Sequence, residues 1–155
     1  MIIRKMNETD VPQVAAIEKD IFSQPWSEQG FLDSLRNPDA LFLVAEEETA
    51  NSTGTATQLI TGYIGMYMAV DEGEITNVAV SNPFRKQGIG RMLVKQMLME
   101  AQSRAITRVV LEVRVSNAPA IALYEQMEFY KIGTRKGFYD FPKEDADIMV
   151  WESGV

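Results

Sequence analysis

Residues 85–90, Arg85-Lys86-Gln87-Gly88-Ile89-Gly90, set two glycines and two cations directly ahead of an apolar helical repeat. Glycines at a helix start let the backbone come close to a ligand. The unpaired N–H groups and the positive end of the helix dipole favour an anion there. The chemistry suited to this segment is therefore the binding of a pyrophosphate, sulfate or similar group on a phosphate-bearing cofactor. Upstream, Ile75-Thr76-Asn77-Val78-Ala79-Val80 reads as a strand, and downstream Arg91 to Leu98 carries apolar residues at helical spacing. Strand, loop, glycines and helix thus follow in the order that presents a helix N-terminus to a ligand.

Composition narrows the reactions such a site could serve. The chain has neither His nor Cys, which removes cysteine nucleophiles, Ser-His dyads, disulfides and the usual zinc sites, so no metal is expected. Any acid or base must be Asp, Glu, Lys or Tyr. The formal net charge of -7 argues against general affinity for nucleic acid or an anionic membrane. The charge is uneven: residues 85–114 carry +5 and the remainder -12, so an anionic ligand belongs in the middle and a cationic one elsewhere. With 155 residues, 46% of them hydrophobic, no apolar run long enough to span a membrane and no signal-peptide pattern at the start, the expectation is one cytoplasmic domain over residues 1–155.

The elements that must position the loop alternate in type. Ile2 to Lys5 predicts a short strand. Thr9 or Asp10 would cap a first helix with Val14, Ile17 and Ile21 on its apolar face, and Ser27 a second with Phe31, Leu32 and Leu35, stopped by Asn37-Pro38. Ala40 to Ala45 reads as a strand, followed by three glutamates and a mobile hairpin loop over Ala50 to Gln58. Leu59 to Val70 forms a long strand, and Asp71-Glu72-Gly73 turns into the strand ending at Val80. The helix after the glycines runs to about Arg104. Arg108 to Val113 is a strand, Asn117-Ala118-Pro119 opens a helix through Met127, and Phe129 to Lys136 and Ala146 to Trp151 close the chain as a hairpin around Asp140-Phe141-Pro142. Antiparallel hairpins at both ends and a strand-helix-strand crossover between them predict an α/β fold with a mixed sheet and about four helices. Ligands of such sheets sit where neighbouring strands diverge.

Three phosphate-binding loops compete for residues 85–90. A P-loop needs Gly-Lys-Ser/Thr after four intervening residues, which is absent. A dinucleotide fingerprint would take Gly88 and Gly90, with Glu112 as the ribose acid. Leu93 holds its third-glycine position, however, and seven residues separate Val80 from Gly88 where that fold makes a tight turn. The third pattern, Arg/Gln-x-x-Gly-x-Gly/Ala, is met in full by Arg85 to Gly90. It is the cofactor signature of the GNAT acyltransferases, which the strand, arch and helix of Ile75 to Leu93 resemble throughout. Leu111-Glu112-Val113-Arg114-Val115-Ser116-Asn117, followed by Ala122-Leu123-Tyr124-Glu125, resembles the RimI-like branch of N-terminal acetyltransferases, which modify a small-subunit ribosomal protein. The likeness extends in order over nearly the whole chain.

That resemblance implies a mostly antiparallel sheet with splayed central strands and acetyl-CoA wedged between them. The backbone of Val78, Ala79 and Val80 would line the pantetheine and acetyl group. Arg85, Lys86, Gln87, Gly88, Ile89, Gly90 and Arg91 would hold the pyrophosphate, and Asn117 would contact the cofactor; its alternative role is a helix cap. Glu112 would accept the amine proton, directly or through water, and Tyr124 would act as general acid toward the departing thiolate. With no cysteine to carry the acetyl group, direct attack in a ternary complex follows, the developing oxyanion meeting N–H groups of Val78 to Val80. An α-amino group with a pKa near 8 is roughly a tenth neutral at pH 7, and a lysine about a thousandth or less, so N-termini need less help.

On the acceptor side, Trp26 and the Phe138-Tyr139 pair fall in the regions that flank the peptide entrance in the resembling family. Trp26 and Tyr139 would bind substrate, and Glu72, Glu74 and Asp140 would attract the basic, alanine-bearing N-terminus of a ribosomal protein, without direct contact with nucleic acid or membrane. Two positions depart from the pattern. Glu128 stands where relatives often have glycine, and Phe138 where RimI-like enzymes tend to carry a tyrosine. Two other functions compete: acetylation of a small amine such as a polyamine or aminoglycoside, and a non-catalytic CoA-binding regulatory module.

Overall fold

The computed structural model describes residues 1–50 and 53–154. Seven strands form one sheet in the order β1-β2-β3-β4-β5-β7-β6, with β1 at Ile2–Lys5, β2 at Ala40–Ala50, β3 at Ala56–Ala69, β4 at Glu72–Val80, β5 at Arg108–Arg114, β6 at Tyr130–Asp140 and β7 at Lys143–Glu152. Every neighbouring pair is antiparallel except β4 and β5, the pair joined by the crossover helix α3, Ile89–Ser103. Helices α1, Val11–Ile21, and α2, Glu28–Leu35, precede β2, and α4, Ala118–Gln126, links β5 to β6. The expected mixed, mostly antiparallel sheet with four helices is thus the architecture observed. Among the described residues, no helix is long and apolar enough to cross a membrane.

Strand alternation sends side chains to two cores, one on each face of the sheet. On β2, Leu41, Leu43 and Ala45 join the face covered by Leu93, Val94, Met97 and Ala101 of α3. Phe42 and Val44 point the other way, onto Val14 and Ile17 of α1 and Phe31 of α2. Gly62 on β3 lets α3 approach: a Cβ there would stand 2.9 Å from the Ala79 carbonyl oxygen and within 3.3 Å of Leu93 and Ile89.

The sheet opens in its middle. The parallel pairing of β4 with β5 lasts only from Glu72↔Arg108 to Glu74↔Val110, after which the two strands separate. On its other side β4 stays paired with β3 to Val80, but the register slips where Gly65 faces Asn77 and Met66 faces Ile75. Thr76 is the extra residue of this bulge. A bulge bends its strand and increases local twist, which turns β4 away from β5 at the point where their ladder ends.

Several boundaries differ from the sequence expectation, each for a physical reason. Asp10 holds the N-cap position of the first helix, but neither it nor Thr9 makes a side-chain cap bond to that helix. Asn7 caps a 3₁₀ turn over Glu8–Asp10, and Asp10 closes a capping box while pairing with Arg4 at 2.7 Å. β2 does not stop at Ala45 but runs through the three glutamates to Ala50, because Arg4 also neutralises the inward Glu46 at 3.2 Å. The expected loop over Ala50 to Gln58 therefore shrinks: β3 already starts at Ala56, and Asn51 and Ser52 lie outside the described residues. The Asp71-Glu72-Gly73 turn lies one step earlier, with Val70 in the left-handed region at φ 56 and β4 starting at Glu72. The last hairpin is longer than predicted, so that Phe138 and Tyr139 belong to β6.

Candidate active site

Where β4 and β5 part, a cavity of about 490 Å³ opens. Trp26, Val78, Glu112, Asn117, Tyr124 and Tyr139 all line it, so six of the sequence-predicted site residues come together from widely separated parts of the chain. Of the three β4 residues expected at the cofactor, only Val78 reaches this cavity; Ala79 is buried in the α1 core and Val80 packs against the α3 core. Beyond Glu74 the β5-facing edge of β4 has no strand partner among the described residues.

The glycine segment lies past the end of β4 and does not line the cavity that holds Glu112. Two of its residues, Lys86 at φ 64 and Gly88 at φ 80, adopt left-handed backbone. For Lys86 this is strain of the kind that collects at ligand-binding segments. The first bond of α3 runs from Met92 N–H to Gly88 O at 3.1 Å, and among the described residues the amides of 86–91 meet no protein acceptor. Arg85 donates from Nε to the Val80 carbonyl at 3.3 Å, tying the loop to the strand end. A row of free amides in alternating left-handed backbone at a helix start fits an anionic diphosphate. The position of a Cβ on Gly90 lies 3.5 Å from Leu123 and 3.6 Å from Val80, so the start of α3 packs directly between β4 and α4.

Glu112 stands on the half-buried face of β5, opposite the core-facing Leu111 and Val113. Burial pushes its carboxyl above the usual carboxylate range. The negative charge of Glu74 adds to this, and the Arg135 guanidinium opposes it, with Nε 3.4 Å from Glu112 Oε1. Tyr124 projects from α4 with its ring 5.7 Å from Phe129; its hydroxyl makes no hydrogen bond to any described residue. Burial raises the Tyr124 phenol further from ionisation, and Tyr139 contributes in the same direction. Asn117 lines the cavity and also caps α4, its Oδ1 accepting from Ala120 N–H at 3.2 Å.

The opposite wall is aromatic. Trp26 packs on Phe31 and Phe42 at 5.4 and 6.1 Å between ring centroids and still faces the cavity. Tyr139 lies under the Arg114 guanidinium at 4.2 Å and beside Phe138 at 5.0 Å. Of the acids expected to attract a basic N-terminus, Glu72 is held by Arg108 at 2.8 Å on the paired side of the split, and neither it, Glu74 nor Asp140 lines the cavity. An acid that was not anticipated does line it: Glu18 of α1 is 2% exposed and makes no ion pair among the described residues.

Arg114 was also missed. It donates to the Pro142 and Phe141 carbonyls at 2.9 and 3.2 Å and to Glu144 at 3.1 Å, and Glu144 in turn accepts from Ser116 N–H at 2.9 Å. The clasp fastens the β6-β7 turn to the segment leading into α4. Glu18 gave a faint signal, an acid four residues after Val14 on an apolar stripe; the pairing of Arg114 with residues about thirty positions away gave none.

Residues 11–129 match the acetyltransferase (GNAT) family. A relative from Salmonella typhimurium, the [ribosomal protein bS18]-alanine N-acetyltransferase, is 33% identical over 93% of this chain and 92% of its own length. The crystal structure of the ribosomal-protein-S18-alanine N-acetyltransferase from Escherichia coli superposes with a TM-score of 0.80 at 29% identity, covering 97% of this chain and 92% of that one. Arabidopsis thaliana NAA60 in complex with acetyl-CoA shares the fold at a TM-score of 0.86 and 20% identity, covering 99% of each chain. Sheet order, strand split, glycine loop and sequence kinship agree, and the chain belongs to the GNAT family of acetyltransferases, where it resembles the ribosomal-protein alanine N-acetyltransferases.

Proposed function

We propose that the whole chain acts as one cytoplasmic catalytic domain that transfers an acetyl group from acetyl-CoA to the N-terminal α-amino group of a ribosomal protein of the small subunit, with alanine as the acceptor residue. The observation that carries this reading is the convergence of Glu112, Tyr124 and the aromatic wall of Trp26 and Tyr139 on one cavity, in a chain similar to enzymes named for alanine N-acetylation of bS18.

The amides of 86–91 would hold the cofactor's diphosphate, and Asn117 and the free edge of β4 around Val78 would guide the remainder toward the cavity. Glu112, raised above an ordinary carboxylate yet paired with Arg135, would take the proton from the attacking amine. As the C–N bond forms, the unpartnered backbone of β4 would face the charge growing on the carbonyl oxygen. The C–S bond then breaks and sulfur leaves with the electron pair. Tyr124 would donate its hydroxyl hydrogen bond to that sulfur. A phenol raised above 10 is a weaker acid than a thiol near 8.5, so hydrogen bonding, not complete proton transfer, would supply most of its effect.

The test is a steady-state assay with acetyl-CoA, comparing basic alanine-terminated peptides with free polyamines and aminoglycosides. Turnover of the peptides at the α-amino group is expected. Turnover of polyamines alone would assign the enzyme to small amines, and acetyl-CoA binding without turnover of any amine would make it a regulatory module.

A further inference from the structure

Glu18 is a buried acid for which the proposed chemistry has no use. It occupies a core-facing position of α1 beside Ile17, and its three neighbours are all uncharged donors. The Tyr63 hydroxyl donates to Oε1. Asn77 Nδ2 donates to the same oxygen at 3.3 Å, and Trp26 N–H donates to Oε2 at 2.9 Å. A carboxylate taken out of water without a cation is costly. Anchoring α1 alone would be served as well by an apolar side chain.

The three donors show what the carboxylate joins. Asn77 flanks the β4 bulge, the feature that separates β4 from β5; its own Oδ1 accepts from Thr76 Oγ1 at 2.5 Å. Tyr63 sits on β3 in register with Ala79. Trp26 belongs to the irregular segment between α1 and α2, where the backbone has no strand or helix to hold it. One side chain therefore ties the acceptor wall to the strand that faces the acetyl group. The two ends of that tie must keep their spacing for an amine to arrive at attacking distance.

We infer that Glu18 is a positioning residue that fixes the Trp26 segment against the β4 bulge and so sets productive binding of the acceptor without contributing to cofactor affinity. The inference rests on the acceptor entering beside Trp26, as proposed above.

Two measurements separate the inference from that reading. The first is hydrogen exchange of the Trp26 amide, followed by NMR in the full chain. It should be protected in the wild type and exchange faster by about tenfold or more in Glu18→Ala, with partial protection restored by Glu18→Gln, which keeps one acceptor oxygen. The second is steady-state kinetics, where Glu18→Ala should raise the peptide KM by about tenfold while the Kd for acetyl-CoA stays within about twofold. If Glu18→Ala does not fold, Glu18→Gln and Tyr63→Phe are read instead, each with a smaller change of the same sign. Unchanged Trp26 exchange overturns the inference whatever the acceptor is. So does an acetyl-CoA Kd that rises in step with the peptide KM, the outcome of a merely structural role. A wild type that acetylates no peptide but whose Trp26 amide responds to Glu18 would remove the proposed function and leave the tie standing.

Discussion

The two halves of the proposed site are built in different ways. The proposed cofactor half is made by contiguous chain: β4, the 85–91 loop and α3 follow one another, and what they offer a ligand is backbone, with amides that meet no acceptor among the described residues around the left-handed Lys86 and Gly88. The acceptor side is assembled by side chains spread from Glu18 to Glu144, through the Glu18 tie and the Arg114 clasp. A ligand common to a whole family can be held by a short local motif. An acceptor that varies among relatives is held by long-range contacts that can be changed one at a time.

Variants can break this contrast. The largest effect belongs between the two sides: Glu112→Gln should lower kcat by about 10²-fold or more and Tyr124→Phe by about tenfold to 10²-fold, with the acetyl-CoA Kd little changed. Wild-type turnover in both would remove them from the chemistry. Next, Gly88→Ala should weaken acetyl-CoA by about fivefold or more, because a left-handed residue with a Cβ costs about 1–2 kcal/mol, and leave the peptide KM alone. Arg114→Ala should do the reverse by freeing the hairpin that carries Tyr139. Parallel changes in both constants for either variant would show that the sides are not separable.

A smaller effect concerns pH. Glu112 must be unprotonated to act, so its raised pKa puts the acid limb of kcat/KM above that of an ordinary carboxylate. Removing the opposing cation, Arg135→Ala, should move that limb to higher pH; removing the like charge, Glu74→Gln, should move it lower. Shifts of the same sign would contradict the arrangement. The smallest effect lies outside both sides. Glu128 holds φ 71 after α4, and Glu128→Gly should raise Tm by about 1–3 °C without altering kinetics.

The same division explains what the sequence made legible. The strand-loop-helix of the cofactor side, the Ser27 cap and the Asn117 cap are written in neighbouring residues, and they appear where the pattern put them. The extension of β2 through Glu46 was hidden because its compensating Arg4 comes forty-two residues earlier. The Thr76 bulge depends on a slip against β3 and has no local mark. Glu18 has no local mark of its role, because Tyr63, Asn77 and Trp26 are brought around it only by the fold.

If the cavity acetylates one ribosomal N-terminus, intact-mass spectrometry of ribosomal proteins from cells with and without this gene will register it. Deletion should remove one acetyl group from the α-amine of a single small-subunit protein, and wild type but not Glu112→Gln should restore it. Ribosomal masses unchanged by the deletion, or full restoration by Glu112→Gln, would contradict it.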